Sequence, residues 1–220
     1  MSADRPLARR PRRAVRIAAT CTTAALALLL SAAGAQAKSP RTVEAGLMKP
    51  TLNPDFAPYS CFETGAGVTC QGSYEGSFAN EAFGLQCGGR EVYLSSTFRE
   101  RLTRWHTPDG RATKTIVHSD FPADVFSLSP TGDGAVFTIS GHFNRHYSYA
   151  VPGERSSRTL TEIGAIYLGR SAGGPLTVHD TGRVVFAPGQ DFEVVASQSG
   201  VHEFYDDPSI IDRAICEALT

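Results

Sequence analysis

The sequence predicts an all-β fold, an antiparallel barrel-like or sandwich domain of about eight to ten strands with one short C-terminal helix. Three observations carry that expectation. Residues 91–106 alternate with a two-residue period, placing Val92, Leu94, Phe98 and Leu102 on one face and Tyr93, Thr97, Arg99, Arg101, Thr103 and Trp105 on the other. Turn-forming clusters then recur along the chain, at Thr107-Pro108-Asp109-Gly110, Pro130-Thr131-Gly132-Asp133-Gly134 and Asp180-Thr181-Gly182. Finally, the cysteines that follow an export-type leader are even in number, as in a disulfide-bonded domain.

Taken in order, residues 1–37 read as a signal peptide. Arg5, Arg9, Arg10, Arg12, Arg13 and Arg16 precede an apolar stretch, and Ala35-Gln36-Ala37 is a small-residue cleavage site, so cleavage is expected after Ala37. Thr20, Thr22, Thr23 and Ser31 interrupt the apolar stretch and argue against a membrane anchor. Cys21 lies within it and would leave with it. Residues 38–60 carry Pro40, Pro50, Pro54 and Pro58 with little periodicity and are expected to be an extended or disordered lead-in. A single β-rich domain is then expected over 61–220, with strands near 68–78, 91–106, 112–119, 125–128, 135–143, 147–151, 159–168, 176–179, 183–187 and 192–197. Closure into a barrel is slightly favoured over a sandwich, because it removes exposed edges. At the C-terminus Asp207 can cap a helix, Pro208 suits its first position, and Ile211, Ala214, Ile215, Ala218 and Leu219 form one apolar stripe.

The leader holds six of the 21 basic residues and one of the 22 acidic ones, so the remaining 183 residues carry 15 basic against 21 acidic groups, a net of −6. An acidic surface is a poor match for phosphate backbones or anionic lipid, so neither nucleic acid nor, after signal cleavage, membrane is an expected partner. Cys61, Cys70, Cys87 and Cys216 allow three disulfide pairings, and their spacing matches no zinc motif.

From Cys87-Gly88 through the turn-rich body to Asp212-Arg213-Ala214-Ile215-Cys216-Glu217-Ala218-Leu219, the chain resembles a group of exported β-rich proteins of high-GC Gram-positive bacteria, framed by Cys-Gly and Asp-x-x-x-Cys-x-x-Leu. The resemblance implies export and a β fold, and it brings no activity with it. It also implies a pairing of the two framing cysteines, Cys87 with Cys216, which leaves Cys61 with Cys70.

No motif assigns a catalytic, cofactor-binding or metal residue, and no cofactor is expected. Gly169-Arg170-Ser171-Ala172-Gly173 matches the G-x-S-x-G of esterase nucleophile elbows, yet Gly174-Pro175 follows where that motif needs a helix. His142 and His146 have helical metal-pair spacing, but on a strand they would stand ~13 Å apart. The other histidines, at 106, 118, 179 and 202, form no motif. Glu203, Asp206 and Asp207 could hold calcium, but such a run is more often a solvated loop before a helix. Phe143, Tyr147 and Tyr149 share one strand face and could stack on a ligand or fill the interior.

Glu100 is the most informative single residue, because it shares a face with Val92, Leu94, Phe98 and Leu102. Buried there it could act as an acid or base; alternatively a bulge turns it outward, or an arginine pairs with it. The expected function is therefore a secreted, non-enzymatic module binding a small ligand, an envelope component or a protein. The alternative is a small hydrolase or isomerase using a polar group inside the barrel.

Overall fold

A computed structural model describes residues 40–220; the signal-peptide expectation lies outside them. Eight antiparallel strands form one sheet: β1 (Ser60–Thr64), β2 (Gly67–Cys87), β3 (Arg90–His106), β4 (Ala112–Ser127), β5 (Val136–Tyr149), β6 (Arg158–Ser171), β7 (Leu176–Phe186) and β8 (Val195–His202). Each pairs with the next in chain order, so the topology is a plain meander. The sheet does not close. Its two edges, β1 and β8, share no ladder, and the expected barrel closure is replaced by an open, curled sheet. A one-turn helix α1 (Glu203–Asp206) and the C-terminal helix α2 (Ile210–Leu219) follow.

The curl follows from what α2 touches. Ala214, Ile215 and Leu219 share one core cluster with Cys87 of β2, Val92 of β3, Phe126 of β4, Phe137 and Ile139 of β5, and Val178 of β7. In a flat sheet β2 and β7 would lie ~24 Å apart, far more than the ~10 Å width of one helix. Only a sheet wrapped around the helix lets both strands reach it. The apolar stripe on 211–219 is thus the plug of one end of the concave face. The helix begins at Ile210, later than Pro208, and Asp207 receives hydrogen bonds from Ser209 N (3.1 Å) and the Arg213 guanidinium (2.8 Å).

On β3 the even-numbered side chains point inward from Val92 to His106, with Val92, Ser96, Leu102, Arg104 and His106 all buried. Ladder register carries this parity across the sheet. Leu102 stands opposite Val117, Val117 opposite Arg145, Arg145 opposite Glu162, and Glu162 opposite Val184.

Several expected strands merge. Residues 112–119 and 125–128 are one strand, β4, interrupted by a bulge between Phe121 and Asp124. Residues 135–143 and most of 147–151 likewise join as β5. Asp180-Thr181-Gly182 is not a turn but the middle of β7, joining the expected strands 176–179 and 183–187. Gly182 sits at φ 131°, where a Cβ would lie 2.2 Å from Ser199 O; the glycine serves a close strand approach rather than a reversal.

Residues 41–59 also differ from the expected extended or disordered lead-in. Met48, Leu52 and Phe56 are buried, Lys49 N donates to Gly110 O at 2.8 Å, and Thr42 bridges to Phe62. Prolines spoil helical or strand periodicity without preventing order, and three apolar side chains at four-residue intervals fasten this segment as a strap. Two disulfides complete the scaffold, Cys61–Cys70 across the β1–β2 ladder and Cys87–Cys216 between β2 and α2. This is the pairing the resemblance implies.

Candidate functional site

With α2 filling one end of the concave face, the other end is left to the strap. Between strap and sheet lies a cavity of about 450 Å³. Leu52 and Phe56 form its outer wall, while β3, β4 and β5 supply inward side chains including Glu100, Arg104, Thr115, Arg145, Tyr147 and Tyr149. Arg155 and Arg158, from the loop before β6 and its first residue, complete the lining. Four guanidinium groups therefore face one lining carboxylate.

The four arginines divide into two kinds. Arg145 and Arg158 each have a carboxylate partner, Glu100 and Asp191 respectively. Arg145 also donates to Ser119 Oγ at 2.7 Å, and Ser119 Oγ donates to Glu100 at 2.8 Å, closing a three-membered network across β3, β4 and β5. The Arg158 guanidinium lies over the Tyr147 ring at 4.7 Å. Arg104 is different: only 8% exposed, it donates to Thr115 Oγ1 and to Pro50 O, both at 3.1 Å and both neutral. Burial first, then repulsion from Arg155 and Arg158, press its pKa below the usual arginine value, while Tyr149 and Tyr59 oppose that shift. Neither Arg104 nor Arg155 has a carboxylate partner among the described residues.

Behind this cavity the concave face stays polar. Glu162, buried on β6, accepts from Tyr205 Oη of α1, and burial holds its carboxyl above the usual range despite that bond and Arg145. Burial also pushes Tyr167 up to about 12, helped by Glu162 and Asp180. Asp180 and His202 form a buried pair at 3.0 Å; the other imidazole nitrogen donates to Ser199 O at 3.0 Å, and Phe204 N donates to the second Asp180 oxygen at 3.1 Å. Glu162 fastens α1 to β6, and Asp180 fastens β8 and α1 to β7. They do not line the cavity.

The residues singled out from sequence fall into place as follows. Glu100 stays on the inner face and pairs with an arginine; no bulge turns it outward. Tyr147 and Tyr149 line the cavity, while Phe143 is packed below them with Leu160 and Ile166. Ser171 ends β6 at a tight turn in which Gly174 N donates to Ser171 O at 3.0 Å, with no helix after it. Gly169 of the same motif makes room for Phe137, since a Cβ there would lie 2.8 Å from that ring. His142 is exposed on the outer face, 3.5 Å from Asp120, and His146 is half-buried four residues further along the same strand. Burial, followed by Lys114 and His118, lowers the His146 pKa. His118 is exposed, and the His179 ring contacts Thr181 at 3.1 Å. Glu203, Asp206 and Asp207 are separately engaged, with His179 N, Gln198 and the start of α2, rather than converging.

Sequence reasoning missed Arg104, Arg145, Arg155 and Arg158. For the first two the signal was present: Arg104 has the parity of Leu102, and Arg145 that of Phe143 and Tyr147. No protein-family model matches the chain, and no significant match is found among curated proteins or solved structures.

Proposed function

We propose that this chain is an exported binding module that holds a small ligand in the cavity between the strap and the concave face. The cavity itself carries the reading. Its volume of about 450 Å³ is within the range of small-molecule sites, it is walled by both apolar and polar side chains, and most of them stand on strands rather than loops. Binding is favoured over catalysis because the Glu100 carboxylate is already held by Arg145 and Ser119, a fixed arrangement suited to orienting a guanidinium. Export is supported by the leader composition together with the two disulfides, which persist in oxidising surroundings.

The test is native mass spectrometry of the protein recovered from the medium of an exporting host. The expected species begins at Lys38, contains no free thiol, and retains a small molecule that leaves on denaturation. A chain with an intact leader and all five cysteines reactive as thiols would contradict export. A chain that neither retains nor takes up any small molecule would contradict ligand binding.

A further inference from the structure

We infer that the ligand of this cavity is a compact dianion, a phosphate monoester or a dicarboxylate, received by Arg104 and Arg155, with its apolar body against Phe56 and Tyr147. The inference rests on the ligand-binding reading above and adds the chemical class.

Arg104 is the ground for it. The residue is only 8% exposed, stays charged at any physiological pH, and its guanidinium is held by two neutral acceptors that fix its plane without neutralising it. Water can satisfy an N–H, but it does not balance a buried charge. Arg155 lines the same cavity from an exposed position, and it too has no carboxylate partner among the described residues. The two remaining arginines are matched by Glu100 and Asp191, so the surplus is two positive charges. A forked donor on a rigid strand suits the paired oxygens of a phosphate or carboxylate group. Thr115, which accepts from Arg104 Nε, keeps that fork in place from the neighbouring strand. Around the charged end, Leu52, Phe56, Leu102 and Val117 offer apolar surface for the rest of the molecule. The acidic balance of residues 38–220, −6 overall, works against a polymeric anion while leaving the local field positive, which selects a small anion over a nucleic acid.

Calorimetric titration of the disulfide-bonded protein with phenyl phosphate, phthalate, benzoate and benzyl alcohol tests the class. At least one dianion should bind about tenfold or more tighter than benzoate, with benzyl alcohol weaker still, and affinity should fall with added salt. Preference for phenyl phosphate identifies the phosphate source, and preference for phthalate the dicarboxylate. Arg104→Gln should weaken the preferred dianion about tenfold or more and Arg155→Gln by severalfold, whereas Arg99→Gln, on the outer face beside Glu75, should leave affinity unchanged. If Arg104→Gln does not fold, Arg155→Gln and the salt dependence decide. Equal affinity for benzyl alcohol and the dianions, or undiminished affinity in both cavity variants, overturns the inference. A neutral molecule retained by the native protein while every anion fails would remove the dianion and leave the ligand-binding reading standing. Failure of all probes with nothing retained would remove both.

Discussion

Arg104 and His106 sit two residues apart on the inner face of β3, and burial, with a smaller push from Arg104, makes His106 hard to protonate. The His106 ring faces Val68 O through Nδ1 at 3.3 Å, and its buried Nε2 has no partner. Burial is the main force lowering its pKa from 6.5 to about 4; the Val68 bond opposes it and Arg104 adds to it. Between those values the unfolded chain binds a proton that the folded one refuses. Stability from this residue is therefore complete above pH 6.5 and falls as pH drops toward 4, by up to about 3 kcal/mol. Urea unfolding across that range should show His106→Gln losing less stability on acidification than the parent. The difference between the two proteins is the proper readout, because Glu162, raised by burial, contributes a slope of opposite sign. A second residue-scale expectation concerns Glu100 and Arg145, both largely shielded from solvent. Either Glu100→Gln or Arg145→Met alone should cost about 1–3 kcal/mol, and the double variant should cost clearly less than their sum in a denaturant-based mutant cycle. At this scale the sequence was legible by parity: the alternation that placed Glu100 inward extends unbroken to Arg104 and His106. The partner of Glu100 was not legible, since it comes from a strand 45 residues away.

Among the elements, β7 shows why turn chemistry misled the reading. Asp180-Thr181-Gly182 has the composition of a reversal, yet Asp180 is fully buried against His202, and Gly182 faces Gly200 across the ladder. Gly164 continues the same row on β6. Three glycines at positive φ let β6, β7 and β8 approach closely where the sheet bends. Gly182→Ala would collide with the β8 backbone in a strained conformation and should destabilise the domain by about 2 kcal/mol or more, with hydrogen exchange accelerating first in β8. An unchanged exchange pattern there would show that the row does not hold the edge. The strap teaches the converse. Its prolines pointed to disorder, whereas the spacing of Met48, Leu52 and Phe56 was the signal that it packs. By contrast the β3–β4 hairpin was fully legible, because Thr107-Pro108-Asp109-Gly110 reverses the chain just where the alternation stops.

For the molecule as a whole, the all-β class and the C-terminal helix follow from local patterns that tertiary structure did not override, whereas the strand lengths did not, since β4, β5 and β7 run on through apparent breaks. Curvature and the cavity did not, because both depend on which strands share one helix and on a strap that folds back over the sheet. The Cys87–Cys216 bond ties that helix to β2 across 129 residues of chain, so Cys216→Ser should cost about 5 kcal/mol against about half that for Cys70→Ser in the chain-entropy view, measured by urea unfolding. Helix and strap close opposite ends of one concave face, and the arginines meet only because the sheet curls between them. The most direct measurement is a crystal structure of the protein with its preferred anion among phenyl phosphate and phthalate. The anion should lie between strap and sheet within hydrogen-bond distance of Arg104, with Arg145 still paired to Glu100. Density for the anion only on the outer face, or an Arg104 guanidinium paired with a carboxylate of the protein itself, would contradict the site.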